Sequence, residues 1–281
     1  MVQEVKIGGK KIGVGHPVFV IAELGINHNG EMETARCLIR EAAAAGAGAV
    51  KLQTYITEKR VPAGSPIFDI LKQCELSFDQ QKELFAYAGE LGLEIFSTPF
   101  DDESVDFLDG LGVTAFKIAS FDVVNLKLLS KVAACGRPVV MSRGMATRDE
   151  LDRAVTVVRE HTDQVVLLHC VSAYPVKDHR ELNFSTIGAL RDRYGLPAGF
   201  SDHTLGVDAA LYAVAAGAVA LEKHFTLSRS AEGPDHALSA EPAELKKLVE
   251  GARRVSEMMG SPVTGAVDAE SDILQYRRES K

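Results

Sequence analysis

Two histidines and two lysines stand where chemistry is easiest to build in this 281-residue sequence. His203 lies in Gly-Phe-Ser201-Asp202-His203-Thr204 and His224 in Leu-Glu222-Lys223-His224-Phe225, each at the end of a short apolar run. The stretch between them, 205–217, is alanine-rich and ends in glycine, long enough for a helix that returns the chain to the same end of a parallel sheet. Two imidazoles brought together beside Ser201 suit a divalent metal and an anionic ligand, whereas a lone histidine would only cap a strand. Lys51 and Lys117 are embedded in apolar runs, Ala-Val-Lys-Leu and Phe-Lys-Ile. A buried ammonium needs an anion or a depressed pKa, and the plain alternative is a lysine snorkelling at a sheet edge. Together with Ser120, Ser142 and Ser201 these lysines offer point charges and hydroxyl donors of the kind that bind phosphate and carboxylate. A Schiff-base lysine is the rival chemistry and leaves the histidines without a role. Glu23, Asp122, Glu222 and Asp235 are the acid or base candidates, and simple pairing with Lys51, Lys117 or Lys223 is their structural alternative.

Such groups need a scaffold whose strand ends converge. From Val18 the sequence alternates apolar, β-branched runs with alanine- and leucine-rich amphipathic segments. The runs are 18–22, 49–52, 94–97, 115–118, 138–141, 165–168, 197–200 and 218–221. Eight near-continuous apolar strands, each followed by a helix, predict a parallel α/β sheet closed into a (β/α)8 TIM barrel, with an open doubly wound sheet as the alternative. Capping boxes at Ser77-Phe-Asp-Gln80 and Thr147-Arg-Asp-Glu150 mark two helix starts. Gly92, Gly112, Gly136, Gly195 and Gly217 mark helix ends. Residues 5–15 read as a hairpin around Gly8-Gly9 that could plug the amino-terminal end of the barrel. Residues 60–73 read as the longest irregular connection and 261–281 as a tail, the whole chain 1–281 being one barrel domain. A turn with a helix cap is the structural alternative for Asn27-His28-Asn29-Gly30, and Gly233-Pro234-Asp235-His236 reads as a turn.

A formal net charge of -8 argues against a general nucleic-acid or anionic-membrane binder, so the positive partners of any anionic ligand must be local. Four scattered cysteines, without a C-x-x-C pair, suggest neither a zinc knuckle nor a redox dithiol. Cys37 and Cys135 read as core fillers, while Cys170 follows a strand directly. With no leader and no long apolar run, a cytoplasmic location is the expectation.

The assembled motifs resemble the sialic acid synthase family. They are Ile21 to Gly30, Val50-Lys-Leu-Gln-Thr54, Phe96-Ser-Thr-Pro-Phe-Asp101, Lys117-Ile-Ala-Ser120, Gly144-Met-Ala-Thr147, Tyr174-Pro175, Ser201-Asp-His-Thr204, Glu222-Lys-His-Phe225 and Gly233-Pro-Asp235. The resemblance implies a (β/α)8 barrel that condenses phosphoenolpyruvate with an N-acetylated aldose, similar to N-acetylmannosamine, to give a nonulosonic acid and phosphate. It implies that His203 and His224 hold a divalent metal, manganese first, with magnesium or cobalt as alternatives. Lys51, Lys117, Ser120, Ser142 and Ser201 would bind phosphoenolpyruvate, and Gln53, Asp122, Tyr174 and Asp235 would face the sugar. Glu23 would position or deprotonate a water, and the family implies a homodimer. Three features depart from the pattern. Phe121-Asp122 is similar to the pseudaminic acid branch, whereas Gly233-Pro-Asp-His236 is similar to the sialic and legionaminic branches. Arg143 replaces a small hydroxyl residue and is expected to add charge near the phosphate end. Family members usually continue into a small antifreeze-like domain that covers the partner subunit's site, and this sequence stops shortly after Arg277-Arg278. A metal-dependent aldolase or lyase, or a non-catalytic barrel that binds phosphoenolpyruvate, is the alternative function.

Overall fold

The computed structural model describes residues 4–278. An antiparallel hairpin of β1 (Val5–Ile7) and β2 (Lys10–Ile12) precedes eight parallel strands. These are β3 (Phe19–Gly25), β4 (Ala49–Thr54), β5 (Glu94–Pro99), β6 (Phe116–Ile118), β7 (Val139–Ser142), β8 (Val165–Cys170), β9 (Ala198–Asp202) and β10 (Ala220–His224). They pair in sequence order, and β10 returns to β3, which closes the barrel and leaves it without an edge. All eight expected strands are present. Several run one to three residues further than the apolar runs, because their last inward positions are polar.

Side chains alternate inward and outward along each strand. Val20, Ala22, Leu24, Val50 and Leu52 point out into the layer shared with the helices. Phe19, Ile21, Ala49, Phe96, Val140, Val166 and Leu168 point in and fill the lower barrel. Val5, Ile7 and Ile12 of the hairpin join that inner cluster, so the hairpin plugs the amino-terminal end as expected. The barrel is solid below, and only its carboxyl end is open to ligands.

Gly199 shows how tightly the inner strands meet. A Cβ there would lie 2.2 Å from the carbonyl oxygen of Ala220 and 2.7 Å from Leu168 Cδ2. Backbone cannot yield as a flexible side chain can. Gly199→Ala is therefore expected to cost about 3 kcal/mol through overpacking, read as a lowered urea midpoint.

Both capping boxes form: Gln80 N–H donates to Ser77 Oγ at 3.2 Å and Glu150 N–H to Thr147 Oγ1 at 3.3 Å. Gly112 and Gly195 close their helices in the left-handed conformation, at φ 78° and 66°. The connecting helix expected over 205–217 is shorter, Asp208–Ala215. The stretch 60–73 is less irregular than expected, since short helices at Thr57–Arg60 and Phe68–Cys74 cover both its ends. Residues 261–278 are exposed and carry 3-10 turns over Asp268–Tyr276. No helix among the described residues is long and apolar enough to cross a membrane.

The Asn27-His28-Asn29-Gly30 turn is a clasp between the ends of the barrel's closing strands. Asn27 Nδ2 donates to the Phe225 carbonyl and to Ser239 Oγ, both at 2.9 Å. His28 is buried, its Nδ1 accepts from Gly30 N–H at 3.1 Å, and the ring also bonds the Gly25 backbone. Burial pulls its pKa down to about 4 from an ordinary 6.5, the Gly25 bond opposing only in part. The unfolded chain then binds the extra proton first. Stability is therefore full above pH 6.5, falls as pH drops from 6.5 towards 4, and levels off below. Urea unfolding at pH 7 and pH 4 should differ by about 3 kcal/mol from this group. His28→Gln should flatten that interval.

Candidate active site

At the carboxyl end of the barrel the inward positions change from apolar to polar, one strand after another. Glu23 of β3, Lys51 and Gln53 of β4, Thr98 of β5, Lys117 of β6, Ser142 of β7, Cys170 of β8, Ser201 of β9, and Glu222 with His224 of β10 line one cavity of about 400 Å³. His203, just beyond β9, joins them, as do Ser120, Tyr174 and Asp235 from the loops. The alternation explains the set: Glu222 and His224 are two apart and share the inner face, while Lys223 between them faces out. Lys223 Nζ lies 3.1 Å from Asp202 Oδ2 and donates to the Thr204 carbonyl at 2.5 Å, which ties two strands together on the helix side.

Charges meet in a buried alternating chain. Lys51 Nζ lies 2.6 Å from Glu23 Oε2 and 3.8 Å from Glu222 Oε2, and donates to Thr98 Oγ1 at 3.2 Å. Lys117 Nζ lies 3.5 Å from Glu222 Oε1, and Ser201 Oγ donates to the same oxygen at 2.9 Å. Gln53 Nε2 donates to Glu23 Oε1 at 3.2 Å. Burial raises the Glu23 pKa, and the neighbouring Glu222 adds to the rise against the pull of Lys51. Burial also works against Glu222 as an anion, but Lys117 and Lys51 together hold its pKa low. Burial works against the Lys51 ammonium too, yet Glu222 and Glu23 hold its pKa high. For Lys117 burial wins and the pKa falls. The cavity wall carries three cations (Lys51, Arg60, Lys117) and three carboxylates (Glu23, Glu222, Asp235), a formal charge of zero.

The two histidines converge, with ring centres 5.4 Å apart and the Tyr174 ring 4.2 Å from His203. His203 Nδ1 lies 3.0 Å from the Val171 carbonyl, which can only accept, so Nδ1 carries a proton and Nε2 is the nitrogen left for a ligand when the ring is neutral. Against the effect of burial, the Cys170 thiol, the Val171 carbonyl and Glu222 hold the pKa of this ring above its ordinary value. His224 Nδ1 is buried without a hydrogen-bond partner among the described residues, and Asp235 Oδ2 lies 3.7 Å from it. Burial and the surrounding cations, His203 and Lys51 first among them, hold the His224 pKa well below the usual range, which leaves a neutral imidazole. Such a donor set fits a borderline divalent ion. Among the described residues no group of three or more His, Cys, Asp or Glu is arranged to hold a metal ion. Ser142 Oγ is likewise buried and unpartnered.

Not every expected residue arrives. Asp122 sits in a 3-10 turn behind Phe121 and outside the cavity wall, half-buried, with Oδ2 unpartnered. Arg143 points away from the cavity: its Nε and Nη2 lie 3.4 Å from Nδ1 of His169, on the outer face of β8. The charge expected near the phosphate end is therefore not supplied by Arg143. In the other direction, the spacing of residues did not single out Arg60 or Thr98, and it weighed Glu222 mainly as a partner for lysine. Alternation with His224 was the available signal for Glu222; nothing in the sequence marks Arg60.

A family model described as the NeuB family matches residues 38–264. The chain belongs to the NeuB family. An N,N'-diacetyllegionaminic acid synthase of Legionella pneumophila is 37% identical over 98% of this chain and 83% of its own length. An N-acetylneuraminate-9-phosphate synthase of Homo sapiens is 35% identical over 90% of this chain and 74% of its own. The crystal structure of an N-acetylneuraminic acid (sialic acid) synthetase from Leptospira borgpetersenii serovar Hardjo-bovis, in complex with citrate, superimposes with a TM-score of 0.94 at 38% identity, covering 99% of this chain and 97% of that one. The fold and the family expected from the motifs are thus both present. As a NeuB-family synthase the chain is an enzyme, a carbon–carbon bond-forming transferase.

Proposed function

We propose that the chain condenses phosphoenolpyruvate with an N-acylated aldose to give a nonulosonic acid and inorganic phosphate. The observation that carries this reading is the meeting of two buried ammonium groups, a ring of serine hydroxyls and two imidazoles with available lone pairs in one cavity. Lys51, Lys117, Ser120, Ser142 and Ser201 would hold the phosphate and carboxylate of phosphoenolpyruvate, with the unpartnered Ser142 hydroxyl free to donate. A cavity of zero formal charge that must take a polyanion gains from a further dication. His203 and His224 would hold it, as manganese or else magnesium or cobalt, and when bound it would polarise the acceptor aldehyde.

The methylene carbon of phosphoenolpyruvate then forms a bond to the aldehyde carbon, whose oxygen takes up a proton. Water adds to the carbon that bears the phosphate and gives its proton to Glu23. Glu23 is poised for this because burial has raised its pKa while Gln53 and Lys51 fix both carboxylate oxygens. The tetrahedral adduct expels inorganic phosphate by C–O cleavage. Asp235 and Tyr174 stand at the mouth to orient the acceptor, and the enclosing wall keeps stray water from phosphoenolpyruvate.

The test is phosphate release from phosphoenolpyruvate with a panel of N-acetylated aldoses, with Mn²⁺ and after chelation. Release that needs aldose and metal together is expected. Pyruvate without phosphate would instead indicate an aldolase, and ligand binding without any product a non-catalytic barrel.

A further inference from the structure

A cavity of about 530 Å³ lies outside the barrel, between the helices Arg148–Arg159 and Ser185–Tyr194. Arg143, Arg148 and Arg193 line it, and among the described residues no carboxylate does, in a chain of formal charge -8. Arg193 is already matched, since its Nε donates to Asp152 Oδ1 at 3.0 Å and its Nη2 to Oδ2 at 2.5 Å. Arg143 and Arg148 form no ion pair among the described residues, so two cations remain for a ligand. Arg143 is held in place by His169. That ring is buried and its Nε2 lies 2.5 Å from the Leu182 carbonyl, which only accepts, so Nε2 carries the proton and Nδ1 presents a lone pair. Nε and Nη2 of Arg143 share this lone pair at 3.4 Å, a long contact that an anion can replace at little cost. Ala146, Leu151, Leu190 and the Tyr194 ring complete the cavity wall.

We propose that this outer cavity is a regulatory site for a nucleoside phosphate, whose binding opposes that of phosphoenolpyruvate. Arg143 and Arg148 hold the phosphoryl group, which the fork of a guanidinium matches better than an ammonium does. The flat base covers Leu151, Leu190 and Tyr194. An inorganic anion would leave that apolar wall against water, and a sugar phosphate would set hydroxyls against it. The volume lies in the range of small-molecule sites.

The two cavities share a wall. Arg143 follows Ser142 and His169 precedes Cys170, and both Ser142 and Cys170 line the active cavity. The next residue, Gly144, packs so closely that a Cβ there would lie 2.7 Å from Ser120 Oγ and 2.4 Å from Ser172 Oγ. One short segment therefore presents an arginine to the outer cavity and its backbone to Ser120, one of the serines that would hold phosphoenolpyruvate. A phosphate that draws the guanidinium off His169 takes Gly144 with it and loosens the ring of serine hydroxyls. This coupling rests on the phosphoenolpyruvate-condensing reading, whereas binding in the outer cavity does not.

Calorimetric titration with adenosine and cytidine 5′-monophosphate, and with inorganic phosphate, tests the site. One of the nucleotides should bind at least about tenfold more tightly than inorganic phosphate, the gain coming from apolar burial. Arg148→Gln, at an exposed position, should weaken nucleotide binding about tenfold, as for loss of a charge-assisted hydrogen bond. Arg143→Gln, which keeps an N–H for His169, should do the same. Lys117→Met removes a cation from the active cavity and should leave the affinity within about twofold. In steady-state assays, saturating nucleotide should raise the wild-type KM for phosphoenolpyruvate about fivefold. Arg148→Gln should keep the basal kcat and KM and require about tenfold more nucleotide for the same rise. Four results overturn the proposal: no saturable binding, equal affinity for nucleotides and inorganic phosphate, binding lost in Lys117→Met and kept in Arg148→Gln, or an unchanged KM at saturation. Absence of phosphate release by the wild type with every aldose is a different result. It removes the condensing reading and the coupling, and the calorimetric comparison of Arg148→Gln with Lys117→Met then decides the site alone.

Discussion

Lys51→Met is expected to lower kcat/KM at least about a thousandfold and to cost the fold about 3–5 kcal/mol. Both effects come from the same geometry. Lys51 Nζ is buried between Glu23 and Glu222, at 2.6 and 3.8 Å. Deleting one partner of a buried pair leaves a charge without compensation, which costs far more than the pair itself contributed. Glu222 keeps Lys117 at 3.5 Å, but Glu23 keeps only the amide of Gln53. The double variant Lys51→Met with Glu23→Gln should thus recover most of the lost stability and none of the activity. Urea unfolding and phosphate release, measured on the single and double variants, separate the two effects. Equal stability of single variant and wild type would mean that the Lys51–Glu23 contact is not formed in solution.

His224→Ala is expected to behave in the opposite way, with activity lost and stability kept. His224 Nδ1 has no hydrogen-bond partner among the described residues, so its removal orphans no buried group there, and the freed space opens into the cavity rather than into packed core. The stability change should stay within about 1 kcal/mol, as for sites away from core packing. His224 is one of the two imidazoles proposed to hold the metal, so its loss should weaken Mn²⁺ binding by at least about a hundredfold, more than loss of an outer-sphere group typically does. Added Mn²⁺ should raise the Tm of the wild type and leave the variant's Tm unchanged. His203→Ala should match it in metal binding and turnover. Its Nδ1–H bond to the Val171 carbonyl adds a small stability cost, about 1 kcal/mol. A variant that binds Mn²⁺ as tightly as the wild type would remove the imidazole pair from metal ligation.

Much of this was legible in the sequence because barrel strands are buried on both faces and leave continuous apolar runs with capped helices between them. The errors have a common physical origin. A run read as ending at its first polar residue stops short at Glu23, Ser201 and Glu222, which are interior strand positions whose inward faces form the ligand cavity. Of the three lysines offered as partners for the carboxylates, Glu222 meets Lys51 and Lys117 and not Lys223, because alternation places Glu222 and Lys223 on opposite faces of β10. Arg143 was expected near the phosphate because it replaces a small hydroxyl residue of the family's pattern, but one residue past Ser142 the side chain points the other way, and it meets His169 instead. Arg60 was illegible for another reason. Its place in the cavity depends on the rings of Tyr55 and Phe100 and on Gln53, contacts that arise from the folding of two connections rather than from any spacing.

The most direct test of the central claim uses phosphoenolpyruvate labelled with ¹⁸O in the oxygen that bridges carbon and phosphorus, incubated with the protein, Mn²⁺ and an N-acetylated aldose. Mass spectrometry should find the label in released phosphate and a product heavier than the aldose by one unlabelled pyruvate unit. Label retained in the organic product, or labelled phosphate released with the aldose unchanged, would contradict it.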